Sequence, residues 1–208
     1  DSTTAVVDGK LSVTAYLDAL SAAWDDLQAQ GGPNIDSIDR LLYHQPFPKM
    51  AKKAQSHFAA YTHTDLDEKL THETRADTQT GRDTGLAAGT LYNRRLGNTY
   101  TASVFSALAS LLHHDDQLAG KRVGLFSYGS GSVSEFLTGI VQPGYFDAAH
   151  RQLVTARLDS RVVLSIEDYR ELHAAEHPST VDYDTPRVTG GLFRFTGVKG
   201  QARQYERV

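Results

Sequence analysis

The segment RLLYHQPFPKMAKKAQSHFAAY, residues 40–61, decides the fold class. Its first part, Arg40 to His44, is a short apolar run that reads as a strand, stopped by Gln45-Pro46. Pro48 then stands where a helix can begin, because the N–H it lacks has no partner in a first turn anyway. Residues 49–61 that follow are good helix formers. Upstream, Leu11, Tyr16, Leu17, Leu20, Ala23, Trp24 and Leu27 recur at helical spacing. With Ser12 as N-cap and Gly31-Gly32 as stop, they predict an amphipathic helix over 12–30. Downstream, residues 62–83 are rich in Thr, Asp, Glu and Arg, and read as exposed helix pieces and loop, the best place for a mobile segment.

Residues 98–112 are nearly all small or apolar and predict a buried helix. Residues 122–127 read as a strand broken by Gly129-Ser130-Gly131, and residues 132–141 as a further strand. Residues 151–158 and 161–164 fit a strand or a helix end equally well. Ser165 with Asp168 three places on has the form of a cap, which predicts a helix ending near His177-Pro178. Residues 192–196 and 202–207 read as a hairpin with Gly197 and Gly200 between them. Helices alternating with short strands imply α/β layers.

A chain of 208 residues suits one large domain or two small ones. Its 40% hydrophobic and 22% charged residues are ordinary for a globular protein. A net charge of −4 disfavours a broad nucleic-acid surface, though not a local basic pocket for a phosphorylated ligand. No apolar run approaches the roughly 20 residues that span a bilayer, so no membrane partner is expected. Residues 1–10 show no signal-peptide pattern and no initiator Met, so the chain is read as starting partway through a longer product. There is no cysteine. Disulfides, thiolate metal sites and a cysteine nucleophile are therefore excluded within these residues, and a cytoplasmic location is expected.

Three blocks carry a resemblance. They are YHQPFPKMAKKA at 43–54, RLGNTYTAS at 95–103 and GLFSYGSG at 124–131. Each resembles a signature block of the 3-hydroxy-3-methylglutaryl-CoA (HMG-CoA) synthases, in the same order and at similar separations. VDGKLS at 7–12 fits too, as do ARLDSR at 156–161 and LSIEDY at 164–169, which look like the bacterial branch. The resemblance covers nearly the whole chain. It implies an α/β, thiolase-like layered fold, with residues 1–208 as its carboxy-terminal half plus the terminal extension. A mixed sheet flanked by helices, one of them buried, is expected. In such enzymes acetyl-CoA acylates a cysteine, a glutamate removes a methyl proton, and the carbanion attacks acetoacetyl-CoA. Both residues belong to the amino-terminal half, so this chain alone is expected to be inactive and to need that half as partner. The complete enzyme is expected to be a homodimer of the mevalonate pathway, with CoA thioesters as substrates and no cofactor.

The resemblance also assigns residues. His44 matches the active-site histidine. A carbonyl under carbanion attack gathers negative charge on oxygen, and a fixed imidazole donor beside it stabilises that charge. Asn98 matches an asparagine that holds the acetoacetyl group, and its place at the start of the expected buried helix also suits an N-cap. Ser130 matches the position whose backbone amide helps form an oxyanion hole, and its flanking glycines allow close approach. Lys49 and Lys53, four apart on one helical face, match basic residues near the CoA phosphates, with a helix N-terminus beside them. The run from His113 to Asp116 reads as a solvated helix end and not a metal site, because neighbouring helical residues point about 100° apart. Two other readings remain open: a relative that acts on carrier-protein-bound chains, and a non-catalytic half that complements a separate chain.

Overall fold

The computed structural model describes residues 8–66, 86–174, 181–187 and 191–208. The chain divides into two compact units, Asp1–Asp159 and Ser160–Val208.

The first unit opens with α1 (Gly9–Ala29). Its cap is Asp8 and not Ser12: the Asp8 carboxylate accepts the N–H groups of Lys10 and Leu11, each at 3.0 Å, so the helix begins three residues earlier than its apolar pattern suggests. Tyr16, Leu20, Ala23 and Trp24 form its buried face. Three strands make a mixed sheet in the order β1 (Arg40–Tyr43), β2 (Arg122–Tyr128), β3 (Ser134–Ile140). β1 runs parallel to β2, with Leu42 opposite Leu125, and β3 is antiparallel to β2, with Phe136 opposite Phe126. β3 begins two residues later than expected, because a single 3-10 turn over Ser130–Ser132 and the left-handed Gly131 and Ser132 fill the corner first.

The long crossover from β1 to β2 carries α2 (Pro48–Thr62), α3 (Leu86–Thr90), α4 (Asn93–Leu96) and α5 (Ala102–His114). Side chains alternate across β1, so each sheet face receives its own helices. Leu41 and Tyr43 join Tyr16, Trp24, Phe58 and Phe136 on the α1–α2 side. Leu42 joins Ala88, Ala107, Leu111 and Val123 on the α3–α5 side. Burial on both faces explains why β1 reads as an unbroken apolar run rather than an alternating one.

α5 starts at Ala102 and not at Asn98. The Asn98 carboxamide oxygen accepts the N–H of Tyr100 at 2.8 Å, and Tyr100 turns into the left-handed region at φ 53°, which no helix tolerates. Asn98 therefore shapes a turn and is not the N-cap. Nor is α5 buried all round: Phe105 is 56% exposed.

The run after His113 departs further from expectation. Asp115 is buried, and its carboxylate takes the Arg40 guanidinium through Nε at 3.2 Å and Nη2 at 3.0 Å. His113 is buried too, bonded to the Tyr92 hydroxyl at 2.7 Å. A solvated helix end is thus replaced by a packed polar cluster. No group of residues able to hold a metal ion occurs among the described residues. The Arg40–Asp115 pair also aligns two elements. Arg40 starts β1 beside the end of α5, while Gln45 just beyond β1 bonds Ser103 near the start of α5. The five steps from Arg40 to Gln45 span about 16 Å and the twelve from Ser103 to Asp115 about 18 Å, so the two elements run antiparallel and are pinned at both ends.

Residues 151–158 are helical, within α6 (Ala148–Asp159), which Asp147 starts by accepting the N–H of His150 at 2.9 Å. The polar stretch expected to be mobile lies outside the described residues from 67 to 85, and Leu66 before it is buried.

In the second unit, residues 161–164 form neither strand nor helix. α7 (Ile166–Ala174) begins as the sequence predicts, with Ser165 Oγ accepting the Asp168 N–H at 3.0 Å and donating to its carboxylate at 2.7 Å. Its expected end at His177-Pro178 lies outside the described residues. β4 (Tyr183–Asp184), β5 (Phe193–Lys199) and β6 (Ala202–Arg207) form an antiparallel sheet. The expected hairpin is present, but Gly197 sits at an irregularity inside β5 and the turn falls at Gly200-Gln201. No described helix is long and apolar enough to cross a membrane.

Candidate active site

Three segments of the first unit meet at one end of its sheet. β1 runs out into His44, β2 into Tyr128-Gly129-Ser130, and the turn of residues 98–101 into α5. His44 N–H donates to the Phe126 carbonyl at 2.7 Å, which extends the β1–β2 ladder by one residue. The His44 and Tyr128 rings lie 6.0 Å apart. A Cβ on Gly129 would sit 3.2 Å from Thr101 Oγ1, so only glycine lets this corner close against the start of α5 without crowding.

His44 is only 7% exposed and is held from several sides. Its carbonyl accepts the Tyr16 hydroxyl at 2.7 Å. Its Nδ1 lies 3.0 Å from Ser103 Oγ. The same Oγ accepts the Gln45 N–H at 3.0 Å, and the Ser103 carbonyl accepts Asn93 Nδ2 at 2.9 Å. Gln45 closes the cluster by donating its side-chain amide to the Gly89 carbonyl at 3.3 Å. Burial pulls the His44 imidazole below its ordinary pKa, because the charged form loses hydration that nothing nearby replaces. At neutral pH the ring is uncharged, with one nitrogen a donor and the other an acceptor.

The remaining expected residues fall as follows. Asn98 is exposed in the turn that precedes α5, and its NH2 group makes no hydrogen bond among the described residues. Ser130 lies in the corner after Tyr128, between extended Gly129 and left-handed Gly131. Lys49 and Lys53 are exposed on the first two turns of α2, the helix that leaves from the His44 end of β1. Neither lysine has an ion-pair partner among the described residues. Pro48 is the first residue of α2 and brings no N–H; Phe47 supplies no side-chain cap, but its carbonyl accepts the Met50 N–H at 3.0 Å. The structure thus gathers His44, the Asn98 turn and the Ser130 corner at one sheet end, and puts both lysines on the adjoining helix.

Sequence reasoning missed Ser103, Tyr16 and Asn93. One signal was available for Ser103: it shares helical spacing with Ala107, Ser110 and Leu111 on the buried face of α5. A serine on such a face must find a partner inside. Tyr16 and Asn93 bond backbone carbonyls brought near only by the fold, and no local pattern marks them.

The sequence matches the family model described as hydroxymethylglutaryl-coenzyme A synthase C terminal over residues 59–181, more than half of the chain. The chain belongs to the hydroxymethylglutaryl-CoA synthase family. It is 35% identical over 178 residues to the hydroxymethylglutaryl-CoA synthase of Enterococcus faecalis, covering 85% of this chain and 43% of that protein. It is 33% identical over 167 residues to the polyketide biosynthesis 3-hydroxy-3-methylglutaryl-ACP synthase PksG of Bacillus subtilis, covering 79% of this chain and 38% of that protein. A solved structure of MvaS in complex with 3-hydroxy-3-methylglutaryl coenzyme A aligns with a TM-score of 0.73 and 33% identity, over 99% of this chain and 52% of that one. The chain therefore spans about half the length of the synthases it matches. The fold is the carboxy-terminal half of their thiolase-like architecture. The matched family region includes Asn98, Ser103 and Ser130, while His44, Lys49 and Lys53 precede it.

Proposed function

We propose that this chain is the half of an HMG-CoA synthase that shapes and polarises the pocket in which acetyl-CoA condenses with acetoacetyl-CoA. The observation that carries the reading is the fixing of a buried, neutral His44 where β1, β2 and the start of α5 converge. An amino-terminal half supplies the cysteine and the glutamate, since the chain has no cysteine. The thiolate takes the acetyl group and CoA leaves. The glutamate removes a methyl proton, and the resulting carbanion attacks the ketone carbon of acetoacetyl-CoA. His44 donates to the ketone oxygen as its charge grows, and Asn98 holds the acetoacetyl group. The Ser130 amide serves the acyl-enzyme carbonyl. Hydrolysis of the thioester then frees HMG-CoA and the thiol. Lys49 and Lys53, on the first two turns of α2, bind the CoA phosphates. The sequence uses CoA thioesters and no metal or other cofactor. The complete enzyme works as a homodimer in the cytoplasm and feeds the mevalonate pathway.

Mixing this chain with an amino-terminal half and assaying CoA release tests the reading. Turnover is expected only in the mixture, and His44→Ala is expected to lower it by roughly 10²–10³-fold, the worth of one oxyanion donor. A stable complex of the two halves without turnover refutes it. The PksG likeness supports a second substrate reading, in which acetyl and acetoacetyl groups arrive on carrier proteins. Parallel assays with CoA-bound and carrier-bound acyl groups separate the two.

A further inference from the structure

We propose that Ser103 is a positioning residue that holds neutral His44 in the form carrying its proton on Nε2. The inference follows from counting hydrogens in a closed space. Ser103 is fully buried, and its hydroxyl has two neighbours within hydrogen-bond distance: the Gln45 N–H and His44 Nδ1, both at 3.0 Å. A backbone N–H can only donate, so Gln45 takes one lone pair of Oγ. If Nδ1 carried the ring proton, Oγ would accept twice and its own hydrogen would face no acceptor. Buried donors are rarely left in that state. If the hydroxyl donates to Nδ1, every group is matched. The Gln45 N–H then also polarises the hydroxyl that it feeds.

The neighbours leave this arrangement uncontested. The Tyr16 hydroxyl is committed to the His44 carbonyl and the Tyr128 hydroxyl to Ser132. Asn93 anchors the Ser103 carbonyl, so the turn of α5 that presents Oγ is fixed from a third side. The desolvation that lowers His44 basicity agrees with a neutral ring. The consequence is a division of labour. A ring with Nδ1 occupied and Nε2–H directed outward is a donor, not a base, so it serves the ketone oxygen and not the methyl proton. That consequence rests on the function proposed above; the tautomer itself is a property of this chain alone.

The test is ¹⁵N NMR of the histidine-labelled chain above the imidazole titration range, with His44 assigned by its loss in His44→Gln. The expected spectrum shows His44 in the Nε2–H form alone. Ser103→Ala is expected to add an Nδ1–H population, and Ser103→Thr, which keeps the hydroxyl, to remove it again. An Nδ1–H ring in the unmutated chain overturns the proposal, and so does a folded Ser103→Ala chain with an unchanged spectrum. Should Ser103→Ala fail to fold, the unmutated spectrum decides. No turnover is needed, so a failed reconstitution and a wrong tautomer are separate results.

Discussion

Replacing Arg40 with Leu isolates the pair that pins β1 to the end of α5. The Asp115 side chain is 1% exposed and that of Arg40 20%. Removing one partner of a fully buried pair costs about 3–5 kcal/mol, most of it from the charge left behind. Two features reduce that figure here. Water already reaches part of Arg40, and the other Asp115 carboxylate oxygen keeps the Gln117 N–H at 3.0 Å. A loss of about 2–3 kcal/mol is therefore expected, which corresponds to a melting point roughly 5–10 °C lower for a unit of this size. Trp24 is the one tryptophan of the chain and lies buried in the first unit. Its fluorescence in a urea titration thus reports that unit without interference from the second. The Arg40→Met/Asp115→Leu double variant should recover most of the loss, because an apolar pair of similar volume needs no hydration. A midpoint for Arg40→Leu equal to that of the unmutated chain would show that Asp115 is not charged and paired as described.

Burial holds the His44 and His113 imidazoles below their ordinary pKa, with His150, His114 and Arg151 adding to the shift at His113 and Asp147 opposing it. Unfolding restores their affinity for protons, so their contribution to stability is whole above about pH 6.5 and shrinks as pH falls below it. Urea midpoints should drop between about pH 7.5 and pH 5.5, and His113→Gln should make that drop shallower. Tyr16→Phe leaves the buried His44 carbonyl without its hydroxyl donor and should cost about 1–2 kcal/mol in the same titration. Gly124→Ala should destabilise by a comparable or larger amount, since a Cβ there would lie 2.8 Å from Leu41 Cδ2 and 3.1 Å from the Phe136 ring. A midpoint unchanged by Gly124→Ala would mean that the α1–α2 face of the sheet is looser than its packing indicates.

Much of the fold was legible because it depends on neighbours in sequence. Pro48 starts α2, Ser165 and Asp168 cap α7, and the alternation of strands and helices gives the α/β class. Errors arose where distant partners decide. Asp115 looks solvated in a run of polar residues, yet its partner Arg40 lies 75 positions away. Asn98 looks like a cap, yet its own bond to Tyr100 turns the chain aside before α5 can begin. The histidine was found through the block around it, and the groups that hold it were not. Tyr16 and Ser103 stand 28 and 59 positions from His44; nothing around Tyr16 marks it, and the spacing of α5 shows that Ser103 needs an inside partner without showing which.

The hydroxyl of Tyr16 carries a practical warning for anyone trimming this polypeptide. A shorter version starting at Ile35 would retain every group assigned to contact substrate, from His44 to Ser130. It would nevertheless remove the helix that clasps the histidine from behind, along with Trp24 against Phe58 and Phe136. What stands behind the imidazole therefore limits any trimming, which must leave α1 and its Asp8 cap whole.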